Sequence, residues 1–230
     1  MQRADNPTGE DLQSWQPWLT VITTLWPYSD AEKRWFLAEL AKVPADAGIA
    51  GAFTTQVLTT LRQKGHDVED FLRHLRFAQA PSKFKHMPMN HYLLSTVEAA
   101  RRMGEGKSLE ADLESVKGSF SNSLLAALIR QTLPGFTGSM RVGEILRLTA
   151  KALSGVLYKG GRYEVSPRPT GWTLDLVGDR NFLGRYLYAD AFYELTGGAR
   201  GPVTKVVFEE VEPGHCQLHF SVPGESRAKD

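Results

Sequence analysis

Trp172-Thr-Leu-Asp-Leu-Val177 and Cys216-Gln-Leu-His-Phe-Ser-Val222 carry the plainest alternation of apolar and polar residues in the chain. Successive strand side chains point to opposite faces, so such runs build a sheet with one face buried and one wet. Working outward, Tyr163 and Val165 mark a strand before the first run, and Ser166-Pro-Arg-Pro-Thr-Gly171 is the loop into it. Val203 to Val211 is a strand before the second run. Glu212-Pro-Gly-His215 puts Pro and Gly in the middle of a type II turn, which makes 203–222 a hairpin. Between the two pairs, 180–196 reads as a helix crossing one face of the sheet. Its expected inner stripe is Phe182, Leu183, Tyr186, Ala189, Phe192 and Tyr193, and Gly197-Gly198 ends it. The pattern is ββαββ.

Upstream the period changes from two to that of a helix. Leu12, Trp15, Leu19, Ile22 and Trp26 follow helical spacing until Pro27. Ser29 and Glu32 form a capping box for a helix to about Lys42. Residues 47–64 repeat the pattern with Ile49, Phe53, Val57 and Leu61, and Gly65 is a natural stop. Asp67 caps a short helix carrying Phe71, Leu72 and Leu75. Pro88 opens the next, which ends at Gly104, and Ser108 caps a longer one through Leu124 and Leu128 to Pro134-Gly135. A last helix covers roughly 140–157. The fold expected is α+β, with a helical N-terminal half packed on a C-terminal antiparallel sheet. Its parts are a disordered leader (1–10), a helical region (11–80), an α+β body (81–222) and a polar tail (223–230).

The totals bound the function. Twenty-seven basic and 26 acidic residues among 230 give a net charge of +1, with no block of one sign. That argues against a nucleic-acid partner or a membrane surface. No run approaches the 18 or so apolar residues of a membrane span, and the N-terminus lacks the apolar core of a signal peptide. The single cysteine excludes an internal disulfide framework and a multi-cysteine zinc site. A cytoplasmic protein is expected.

Motif chemistry is sparse. Gly104-Glu-Gly-Lys-Ser108 has the tail of a phosphate loop, but Arg101 stands where its first glycine belongs and a helix precedes it. His215, Cys216 and His219 share a strand on which Cys216 faces away from the two histidines, themselves about 13 Å apart at 3.3 Å per residue, so they hold no common metal. No nucleophile elbow or zinc-protease motif occurs. No catalytic residue, metal or cofactor is expected. The stronger signal is aromatic density in the C-terminal third. Tyr163, Trp172, Tyr186, Phe192 and Tyr193 are the candidate ligand-binding residues, able to line a pocket for a small apolar molecule, although core packing accounts for most such rings.

Phe84-Lys-His-Met-Pro88, Gly106-Lys-Ser-Leu-Glu-Ala-Asp-Leu113, the apolar helix with Ser123 and Leu124, and Gly161-Arg-Tyr-Glu-Val165 resemble a family of uncharacterised proteins with many paralogues in myxobacteria. That resemblance covers about 50–222 and supplies no site residues. The closing helix and hairpin are similar to the end of vinyl-reductase-type ligand-binding domains and their haem-binding relatives, without the paired cysteines that hold zinc in some of them. Tyr163-Glu-Val-Ser-Pro-Arg168 resembles the Tyr-x-Ser-x-Arg signature with which haem nitric-oxide-binding domains hold haem propionates, but it is one residue longer. No histidine lies between His91 and His215, where that family's iron ligand belongs. The resemblance implies a small-molecule-sensing scaffold.

These readings converge on a non-enzymatic signalling or regulatory module, acting through a protein partner and gated by a small apolar ligand. The alternatives are a self-associating assembly protein, using the hairpin edge and the Trp-rich N-terminus, and an enzyme with dispersed catalytic residues.

Overall fold

The computed structural model describes residues 18–77, 81–82, 85–121, 140–154, 158–159, 161–197 and 203–223, with the backbone alone at 117–121 and 158–159. The expected leader, the tail and the helical run through Leu124, Leu128 and Pro134-Gly135 lie outside these residues or at their margin.

Helix α1 (18–25) ends before Pro27. Helix α2 (Asp30–Ala41) starts at the expected capping box: Ser29 Oγ accepts from the Glu32 amide, and Glu32 Oε2 accepts from the Ser29 amide at 2.9 Å. The other Glu32 oxygen accepts from the Leu109 amide at 2.8 Å, so one carboxylate starts two helices. Strand β1 (Gly48–Ala50) leads into α3 (Ala52–Gln63), which stops at Gly65 (φ +81°). Asp67 caps α4 (Val68–His74), accepting from the Asp70 amide. Strand β2 (His86–Pro88) runs into α5 (Met89–Met103), and Ser108 caps α6 (Leu109–Ser121). Helix α7 (Val142–Ala152) and strand β3 (Tyr158–Lys159) complete this half.

Residues 47–64 do not form the single helix that the spacing predicts, because the first of them form β1. That strand pairs antiparallel with β2 and β3 in a small sheet ordered β2-β1-β3. Gly48, Ile49 and Ala50 are all buried, so the strand shows no alternation for a pattern search to find.

The C-terminal unit is ββαββ: β4 (Arg162–Arg168), β5 (Gly171–Val177), α8 (Gly184–Thr196), β6 (Lys205–Glu212) and β7 (His215–Ser221). The four strands pair antiparallel in the order β4-β5-β7-β6. Strand β4 runs through Ser166-Pro-Arg168, where the sequence predicts a loop. Pro167 is tolerated because β4 is an edge, where a missing amide costs no ladder bond. On the inner face, Tyr163 pairs with Leu176, Leu174 with Leu218 and Trp172 with Phe220.

The inner stripe of α8 also needs correction. Gly184, Leu187, Tyr188, Phe192 and Thr196 are its buried residues, while Tyr186 and Ala189 are half-buried and Tyr193 is exposed. The helix lies between β6 and α6, so its packed face is set by two neighbours rather than by the sheet alone. A ladder of rings then joins the halves: Trp26 on Phe36 (5.1 Å), Phe36 on Phe182 (5.4 Å) and Trp35 on Tyr186 (6.2 Å). One apolar core runs continuously from α1 to β7.

Candidate functional site

The five aromatic residues singled out from the sequence do not gather in one place. Tyr163 is buried on β4 with its ring over Gly161. Trp172 lies against Gly143 of α7, with the Arg147 guanidinium 4.8 Å from its ring centroid. Tyr186 packs on Trp35, and Phe192 fills the layer between Tyr188 and Phe220. Tyr193 is 46% exposed. Tyr163 and Phe192 serve the core, Trp172 a helix–sheet contact, and Tyr186 the junction with α2.

A cavity of about 80 Å³ opens instead beneath the β6–β7 turn, and none of those five residues lines it. Its position follows from two glycines. Gly214 takes φ +79° at the turn, and its carbonyl accepts from the Gly178 amide at 2.8 Å, which draws the 178–183 loop alongside the hairpin. The lack of a side chain at Gly214 also lets Arg180 approach, for a Cβ there would lie 3.0 Å from Nη1.

Asp179 and Asn181 form the floor. Asp179 is buried, and its carboxylate accepts from Tyr188 Oη at 2.6 Å and from the Asn181 amide at 3.0 Å. Burial pushes its pKa up to about 6, against the opposing pull of Tyr188 and the backbone amides. Asn181 is 5% exposed, and its Oδ1 is enclosed without a hydrogen-bond partner. An amide oxygen in that state carries a desolvation cost that a ligand donor would relieve. Cys216 borders the same space; burial, then the carboxylates of Asp179, Glu210 and Asp175, push its thiol up, so it is not a thiolate nucleophile. Phe182 and Phe208 form walls, and the rim carries Arg180, the Arg185–Glu210 pair and the Lys42–Glu39 pair.

The other motifs resolve into structure. In Gly104–Ser108 the Gly106 amide donates to Asp112 Oδ1 at 3.0 Å, so a carboxylate of the protein occupies the place a phosphate would need. His215 and His219 lie on the outer face of the sheet, opposite Cys216. His215 pairs with Asp175 at 2.7 Å; His219 pairs with Glu209 at 2.7 Å and meets Thr173 Oγ1 at 3.1 Å. The hydroxyl–imidazole–carboxylate line through His219 is a cross-strand ladder, apart from the cavity lining. Among the described residues no group of three His, Cys, Asp or Glu could hold a metal ion, and no helix is long and apolar enough to cross a membrane.

In β4, Tyr163 faces the core whereas Ser166 and Arg168 are exposed on the other side. Three residues read as Tyr-x-x-Ser-x-Arg therefore cannot converge on one group.

No family model matches the chain, and no curated protein matches it. Solved structures do. An H-NOX protein from K. algicida, in the Fe(II) unliganded state, is similar over 76% of this chain and 96% of its own, at 8% identity and a TM-score of 0.53. A Cs H-NOX mutant with 4-cyano-L-phenylalanine at site 5 is similar over 76% of this chain and 97% of its own, at 12% identity and a TM-score of 0.50. The likeness is one of fold. The myxobacterial resemblance continues to rest on the sequence patterns alone.

Proposed function

We propose that the chain is a non-enzymatic, cytoplasmic regulatory module on an H-NOX-like scaffold, answering a small polar ligand beneath the β6–β7 turn and passing the change on through protein contacts. The observation that carries this reading is the floor of the cavity, where a buried carboxylate sits beside an enclosed and unpartnered amide oxygen. Asp179 also holds Tyr188 of α8, which packs on both β6 and α6. A ligand that meets Asp179 thus acts on the helix joining the two halves, and its differential affinity for two positions of that helix sets the size of the response.

The neighbours in fold are H-NOX proteins, one described with Fe(II), and a haem is the group their fold implies. The residues here do not fit it. Ser166 and Arg168 face away from Tyr163, His215 and His219 are tied to carboxylates on the outer sheet face, and the Cys216 thiol is held from ionising. The charged groups of the lining are what favour a polar ligand over the apolar one expected from the aromatic residues.

Thermal-shift measurements with small polar metabolites test the proposal. A saturable rise in Tm that is lost in Asn181→Leu is expected, and no rise with any compound removes the ligand half.

A further inference from the structure

Resting on that reading, we infer that the cavity takes a short zwitterion, an α-amino acid with a small side chain, its ammonium on Asn181 Oδ1 and Asp179 and its carboxylate on Arg180. The floor offers acceptors. Asn181 Oδ1 has no partner, and the Asp179 carboxylate receives a tyrosine hydroxyl and backbone amides, with the Arg180 charge nearby. An ammonium brings three donors to such a place and no competing acceptor. It also balances a buried negative charge, which is otherwise costly.

Arg180 supplies the other pole. It is half-buried, lines the cavity and lies over Gly214; its backbone amide donates to Asp179 and its charge acts on that carboxylate, while among the described residues its guanidinium makes no side-chain hydrogen bond or close ion pair. The other two cations at the rim are engaged, Arg185 with Glu210 and Lys42 with Glu39. Arg180 is therefore the cation available for a carboxylate, and it is near enough to Asp179 for its charge to act on that group. Guanidinium–carboxylate pairing is among the stronger polar contacts.

Size narrows the class further. About 80 Å³ is the liquid share of roughly three waters, at about 30 Å³ each, so the part of a ligand that it holds is small.

Calorimetry and thermal shift on the full chain test the assignment, with glycine, alanine and serine set against N-acetylglycine, which lacks the ammonium, and glycinamide, which lacks the carboxylate. Glycine or alanine should bind and both analogues fail, and Arg180→Gln should weaken binding about tenfold, the loss of one charge-assisted contact. Arg180 is only half-buried, so this variant keeps its fold, as circular dichroism will report, even if a change at Asp179 does not. Glycinamide binding as well as glycine would overturn the zwitterion. If no amino acid binds while another small polar compound shifts Tm in wild type but not in Asn181→Leu, this inference fails and the broader proposal stands. If nothing shifts Tm, both fail.

Discussion

Tyr188 Oη donates a 2.6 Å hydrogen bond to Asp179 Oδ2, a buried contact that fastens α8 to the loop feeding it. Removing the donor with Tyr188→Phe leaves a buried carboxylate short of one partner, a loss of about 1–3 kcal/mol. Because the charged form is the one that needs the hydroxyl, the loss measured in urea should be larger near neutral pH than near pH 4.

Asp179 itself makes stability depend on pH in an unusual direction. Its folded pKa, about 6, lies above the ordinary 3.8. The folded state therefore binds the proton more tightly, and this residue's contribution to stability falls as pH rises from 3.8 to about 6. Above that the cost is fully present, on the order of 3 kcal/mol for a shift of about two units. In Asp179→Asn the cost is absent. The difference in unfolding free energy between variant and wild type should move in the variant's favour as pH is raised from about 4 to about 7, and a difference that stays flat would show that Asp179 is not the responsible group.

Glu98 gives the opposite sign. It is fully buried in α5 and receives Arg101 at 2.6 and 2.8 Å, Arg102 at 3.0 Å and Trp26 Nε1 at 3.1 Å. Burial works to raise its pKa, and the hydrogen bonds and charges of Arg101 and Arg102 outweigh that and hold it below the usual carboxylate range. Its stabilisation is present above the unfolded pKa and disappears as pH falls through the depressed one. Glu98→Ala strands Arg101 and an indole N–H, while Arg102 keeps Asp70 at 3.0 Å, and should cost about 3–5 kcal/mol in denaturant unfolding. A change below 1 kcal/mol would mean water reaches the site.

Gly143 shows how closely α7 approaches the sheet. A Cβ there would fall 2.3 Å from the Trp172 ring, over which the Arg147 guanidinium also lies. Gly143→Ala should cost about 1–3 kcal/mol through overpacking. The penalty should shrink in a Trp172→Ala background, because the two positions share one space. Equal penalties in both backgrounds would place the strain elsewhere.

Much of this fold was legible because it rests on local rules. Ser29–Glu32, Asp67, Gly65 and Pro213-Gly214 each do what their chemistry requires, and the alternation at Trp172–Val177 and Cys216–Val222 reports the buried face directly. The cavity was not legible. Asp179, Arg180 and Asn181 look in sequence like any polar turn between a strand and a helix, and their meeting with Gly214 depends on the contact between Gly178 and Gly214, far apart in the chain. The aromatic residues scatter for a related reason: ring content reveals apolar mass, and the partners of each ring are set by which elements meet. Tyr186 meets α2 and Tyr193 meets water.

Side chains alternate along β4, so the extra residue between Tyr163 and Ser166 moves Ser166 and Arg168 to the outer face, where both are exposed. All six histidines are among the described residues. His91 lies between Trp18 (5.6 Å) and Phe77 (5.7 Å), His74 faces Glu98 at 3.7 Å, His215 and His219 are paired to Asp175 and Glu209, and His66 and His86 lie outside the core. Protein purified from haem-supplied cells should therefore show no Soret absorption. Arg168→Ala should change stability by less than about 0.5 kcal/mol, as for any exposed residue without a partner to lose. A stoichiometric Soret band that weakens in Arg168→Ala would reverse this and bring Arg168 into a binding site that its strand position denies it.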